Sequence, residues 1–186
     1  SIIKRCHDIL YSNGSIVGDK ARDDIMRLLS LKLIQSEFLK EDSDLLKKSH
    51  EVKEKLNLSD AKFDNFISYC TDMTLLHKNE KSSFKNQWKI FVQKFLSQIT
   101  NIYSKSDEIF NCDSDVALEE ITDIINELVV NEDFINSYGT NCGDIHEMFA
   151  TYGGKASSKT LGAFYTPRKL IDLILGPLGV SELIKE

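Results

Sequence analysis

Apolar residues recur three and four positions apart along most of this chain, the spacing that lines one face of an α-helix. Ile25, Leu28, Leu29, Lys32 and Leu33 mark one such face, on a helix predicted over about 19–40 with Asp19 as its N-cap. Phe63, Phe66, Ile67 and Cys70 follow Ser59, a residue suited to capping the helix that carries them. Phe84, Trp88, Phe91, Phe95, Ile99 and Ile102 predict a longer helix over 84–103, and Asp113-Ser114-Asp115 opens another that runs to residue 130, its acids favoured by the positive end of the helix dipole. Shorter helices are read at 6–11, ended by Asn13-Gly14 and Gly18, and at about 46–56, 132–138 and 143–152, the last stopped by Gly153. The polar stretch 77–83 is a loop. Trp88, Phe91, Phe95, Phe63, Phe66, Leu29 and Leu33 are the expected core.

Period-two alternation is scarce, so no sheet is expected, and the fold class is all-α, a multi-helix bundle. The expected organisation is a helical N-terminal domain over 1–152 and then a segment over 153–186: a Gly/Ser/Lys-rich loop followed by a helix that begins near Pro167, where a missing N–H costs nothing. With 41% hydrophobic and 28% charged residues and two prolines, the composition supports a sizeable core. No apolar run reaches the roughly 18 residues a membrane span needs, and Ser1-Ile-Ile-Lys-Arg lacks the apolar stretch of a secretory signal. The expectation is a cytoplasmic protein with no membrane partner. Cys6, Cys70, Cys112 and Cys142 are far apart and form no CxxC pair, which points to reduced packing thiols and to no metal site.

The net charge of −6 hides a segregation along the chain. Residues 107–147 hold 12 acids and no Lys or Arg, whereas 78–105 hold six lysines against the single Glu80. Lys155, Lys159, Arg168 and Lys169 lie in an acid-free stretch between Met148 and Ile171. A basic surface can therefore exist despite the negative total. Familiar catalytic motifs are excluded. Gly154-Lys155 is followed by Ala156, and Phe149 stands where a phosphate loop needs glycine. His146-Glu147 meets Ala150 where a zinc-protease helix needs a second histidine, and there is no GxSxG. No catalytic residue is assigned.

One run carries more. Gly162-Ala163-Phe164-Tyr165-Thr166-Pro167-Arg168-Lys169, followed by Leu170-Ile171-Asp172-Leu173-Ile174-Leu175, resembles the G-x-F-Y-T-P signature of N6-adenine DNA methyltransferases, most closely the modification subunits of type I restriction systems. Residues 144–152 resemble the helix that precedes the signature in that family, and 19–33 resemble its N-terminal helical domain more loosely. The resemblance implies that Phe164, Tyr165, Thr166 and Pro167 sit beside an S-adenosylmethionine pocket. The aromatics would supply surface, Thr166 a hydroxyl near the methionine end of the cofactor, and Pro167 the turn into a helix that joins a Rossmann-like catalytic domain. Its D-P-x-x-G-x-G and N-P-P-Y/F motifs are absent from these residues. The expectation is thus an N-terminal part of such an enzyme, inactive and without cofactor by itself, whose catalytic motifs follow Glu186.

The partners implied are double-stranded DNA, a specificity subunit that reads the target sequence, and a restriction subunit where the system has one. Lys81, Lys85 and Lys89, at i, i+4 and i+8, form one candidate phosphate-contacting surface, and Lys155, Lys159, Arg168 and Lys169 a second. Lysines at that spacing also fit an ordinary solvated helix face. A free-standing helical interaction module without enzymatic activity is the alternative reading of the whole chain.

Overall fold

Serine and glycine decide where the helices begin. The computed structural model describes residues 2–78 and 82–130, which fall in the first of two units, Ser1–Asn131 and Glu132–Glu186. Its elements are α1 (Ile2–Gly14), α2 (Asp19–Phe38), α3 (Asp44–Lys55), α4 (Asp60–Thr71), α5 (Phe84–Phe91), a π-helical turn (Val92–Leu96), α6 (Ser97–Ile99) and α7 (Asp115–Asn126). Single 3-10 turns lie at Met73–Leu76 and Lys105–Glu108. The described residues are all-helical and contain no strand. Ser43, Ser59, Ser83 and Ser114 cap α3, α4, α5 and α7, each hydroxyl accepting an N–H three residues on, from Leu46, Lys62, Asn86 and Ala117 at 3.1, 3.4, 3.3 and 3.2 Å. The expected cap of Ser59 on the Phe63–Cys70 helix is observed. At α2 the cap is Gly18, not Asp19. The chain enters there at φ 61°, a left-handed geometry that glycine adopts without a Cβ penalty. Asp19 becomes the first helical residue and pairs with Arg22 at 2.8 Å.

α2 is the hub. It packs against α1, α3, α4 and α7, and its buried residues cover a broad arc, Ala21, Ile25, Leu28, Leu29, Leu31, Ile34 and Phe38, with Asp24, Arg27, Lys32 and Gln35 among them. Arg22, Asp23, Met26, Ser30, Leu33 and Glu37 share the less buried side. This widens the face drawn from the sequence, of which Ile25, Leu28, Leu29 and Lys32 are buried. Leu33, expected in the core, is half-buried, because Leu31, Ile34 and Phe38 turn a second face inward and leave it at the edge. The other six expected core residues, Trp88, Phe91, Phe95, Phe63, Phe66 and Leu29, are buried.

Aromatic rings from α4 and from the 84–99 stretch interlock beside α2. Phe66 stacks on Phe95 at 5.3 Å, Tyr69 meets Phe91 edge-on at 5.3 Å, and Trp88 lies 5.0 Å from Phe110 and 5.7 Å from Tyr103. The 84–103 helix is shorter than its spacing predicted. The π turn interrupts it, α6 ends at Ile99, and Thr100 is extended, so Ile102 is 55% exposed while Tyr103 returns to the core. α7 likewise ends at Asn126 rather than residue 130, and Val129 beyond it is exposed. α1 reaches Gly14 and lies against α7 and the loop before it. A Cβ on Gly14 would stand 2.5 Å from the buried Cys112 sulfur, which would have to shift to admit it. The helices expected at 132–138 and 143–152, and the boundary expected at 152, lie outside the described residues.

Candidate functional site

Of the first lysine surface, α5 presents two members. Lys85 is half-buried: its ammonium donates to the Asp113 carbonyl at 2.8 Å and lies 3.9 Å from that residue's carboxylate. Helical phase places Lys85 and Lys89 on one side of α5, one turn apart, but their settings differ. Lys89 is exposed in the last turn and forms no ion pair within the described residues. The acidic segment therefore starts alongside these lysines. Beyond Asp113, α7 and its C-cap expose Val116, Glu120, Asp123 and Glu127 on one stripe. Lys81, the third member, lies outside the described residues, as do Lys155, Lys159, Arg168 and Lys169 and the cofactor candidates Phe164, Tyr165, Thr166 and Pro167.

Sequence reasoning missed a buried polar network centred on α2. Asp24 is fully buried and its two oxygens accept from Arg27 at 2.6 Å, from the Asn111 backbone and side chain at 2.9 and 3.1 Å, and from the Cys112 N–H at 2.8 Å. Burial pushes its carboxyl above the usual carboxylate value, and the N–H groups of Asn111 and Cys112 and the Arg27 guanidinium pull it back. Arg27 also donates to the Ser106 carbonyl at 3.1 Å, lies 3.3 Å from the Asp107 carboxylate, and sits over the Phe110 ring at 6.0 Å. Tyr103 and Trp88 extend the network by donating to the carbonyls of Arg27 and Asp107, each at 2.8 Å. Its acids and Arg27 are paired within the protein, although Arg27 Nε is buried without a hydrogen bond, and the network fixes the 103–112 segment on α2. The cleft beside it, about 410 Å³ and lined by Asp23, Met26, Arg27, Ser30, Ile102, Tyr103, Ser106 and Asp107, is charged only by groups already paired: Asp23 with Arg22 at 2.7 Å, and Asp107 with Arg27. The signal that could have exposed this network is Asp24 and Arg27, at i and i+3, set among the apolar positions Leu28, Leu31 and Ile34 of one helix.

A second buried group is Lys32, 8% exposed, whose ammonium donates to the Asn126 carbonyl at 2.6 Å and so caps the C-terminus of α7. Burial lowers its pKa, and the Asp72 carboxylate opposes that. Gln35, one turn on, donates to the Thr71 carbonyl, leaving its own Oε1 and the Asn126 Oδ1 buried without a hydrogen bond. A cavity of about 250 Å³ opens here, lined by Lys32, Gln35, Ser36, Leu39, Leu128 and Val130.

Cys6, Cys70 and Cys112 are buried free thiols, and desolvation raises all three, Cys6 to about 12. They are protonated at neutral pH and poor nucleophiles. The expected packing role fits these three, and Cys142 lies outside the described residues. Among the described residues, no group of three or more His, Cys, Asp and Glu side chains could hold a metal ion, and no helix is long and apolar enough to cross a membrane. No protein-family profile, curated protein or solved structure matches the chain.

Proposed function

We propose that this chain is the N-terminal part of a site-specific, S-adenosylmethionine-dependent adenine-N6 DNA methyltransferase of the type I modification-subunit kind, in which it helps embrace DNA and dock the specificity subunit. One observation carries the reading: the run Gly162–Lys169, with its Phe164-Tyr165-Thr166-Pro167 core, leads straight into the apolar stretch 170–175 and follows a Lys- and Ser-containing loop. The all-helical character of the described residues supports it, since the resemblance implies a helical domain ahead of a Rossmann-like catalytic one. Phe164, Tyr165, Thr166 and Pro167 line one edge of the cofactor pocket in this reading. Lys155, Lys159, Arg168 and Lys169 meet phosphates close to the adenine being methylated. The D-P-x-x-G-x-G and N-P-P-Y/F motifs are not in these residues, so the activity belongs to the complete protein.

The test uses the complete reading frame, co-expressed with its neighbouring specificity subunit. That assembly is incubated with unmethylated duplex DNA and methyl-labelled S-adenosylmethionine. Label is expected in N6-methyladenine, and residues 1–186 alone should transfer none. An assembly that methylates no adenine, from a frame lacking both later motifs, would overturn the proposal and leave the helical interaction module as the reading.

A further inference from the structure

We draw no further inference here: the strongest candidate, the cavity of about 250 Å³ between α2 and the segment after α7, beside the buried Lys32 ammonium and the unbonded Gln35 Oε1, has Val130 in its wall, the last described residue, and nothing in the structure shows what covers it.

Discussion

Asp24 shows what a single buried residue can demand of the chain around it. Every group aimed at its oxygens is a donor, two of them backbone N–H groups that cannot turn away. An ionised carboxylate is the side chain that only accepts, so these donors favour the charged form and oppose the larger upward push of burial. Asp24→Asn keeps the shape but points an NH2 at N–H donors and removes half of Arg27's charge compensation. The expected loss is on the order of 3 kcal/mol, as for a buried pair that loses one partner. Urea unfolding that shows under about 1 kcal/mol would mean the network is dispensable. Lys32 makes the opposite case. Its folded-state pKa lies below the ordinary 10.5, so between the two values the unfolded chain holds more protons. Stability therefore rises with pH across that window, and the cost of the buried charge is gone above it. Lys32→Met removes the titrating group and keeps much of the stem. Unfolding free energies of the two proteins, followed from about pH 7 upward, should converge or cross in favour of wild type. Curves that stay parallel would show that the Asn126 carbonyl and Asp72 fully offset the burial. The sequence put Lys32 on a helix face and Asp24 three residues before Arg27, but the role of each escaped it, because each is defined by partners 87 to 94 positions away.

At the scale of elements the sequence was far more readable, and the reason is that caps and helical spacing are local. Serine hydroxyls at Ser59 and Ser114, and the apolar registers of α4 and α5, required no knowledge of the fold. What local pattern could not reveal was where a helix stops when its apolar stripe continues. Ile102 extends the run Phe95–Ile99 by three positions, yet the π turn and the extended Thr100 take it out of the helix and into solvent. The two assignments predict different energetics. Phe95 is fully buried against Phe63, Phe66 and Phe91, so Phe95→Ala should cost about 3–5 kcal/mol. Ile102→Ala, at a half-exposed position, should change stability by no more than about 0.5 kcal/mol. Chemical denaturation of both variants separates the cases: a loss at Ile102 approaching that at Phe95 would restore the unbroken helix over 84–103. The same logic explains α2. The buried arc of α2 is wider than the stripe the sequence named, because Asp24, Arg27 and Gln35 are buried beside Leu31, Ile34 and Phe38, and polar residues inside the arc hide its width.

For the whole molecule, charge decides more than shape. A chain of net charge −6 with 12 acids between residues 107 and 147 repels a polyanion over much of its length, so its lysines can act on DNA only where they stand clear of those acids. The structure separates two lysines that spacing alone made equivalent. Lys85 is tied to Asp113 at the start of the acidic segment, whereas Lys89 is exposed and unpaired within the described residues. In the proposed methyltransferase assembly, each phosphate neutralised would contribute about 0.9 to the slope of log affinity against log salt. Lys89→Ala should flatten that slope by up to about one unit and Lys85→Ala by clearly less, since its ammonium already has a partner. Lys155→Ala with Lys159→Ala should remove up to about two units if the second surface lies beside the methylated adenine. Preference for target over non-target duplex should hardly move in any of these variants, because phosphate contacts hold register without reading bases. Fluorescence anisotropy over a salt series, on matched target and non-target duplexes, measures both quantities together. Equal slopes for wild type and all the variants would remove the lysines from the DNA interface. A changed target preference at unchanged slope would make them base-reading instead, which neither their chemistry nor the place of a separate specificity subunit in the proposed assembly predicts.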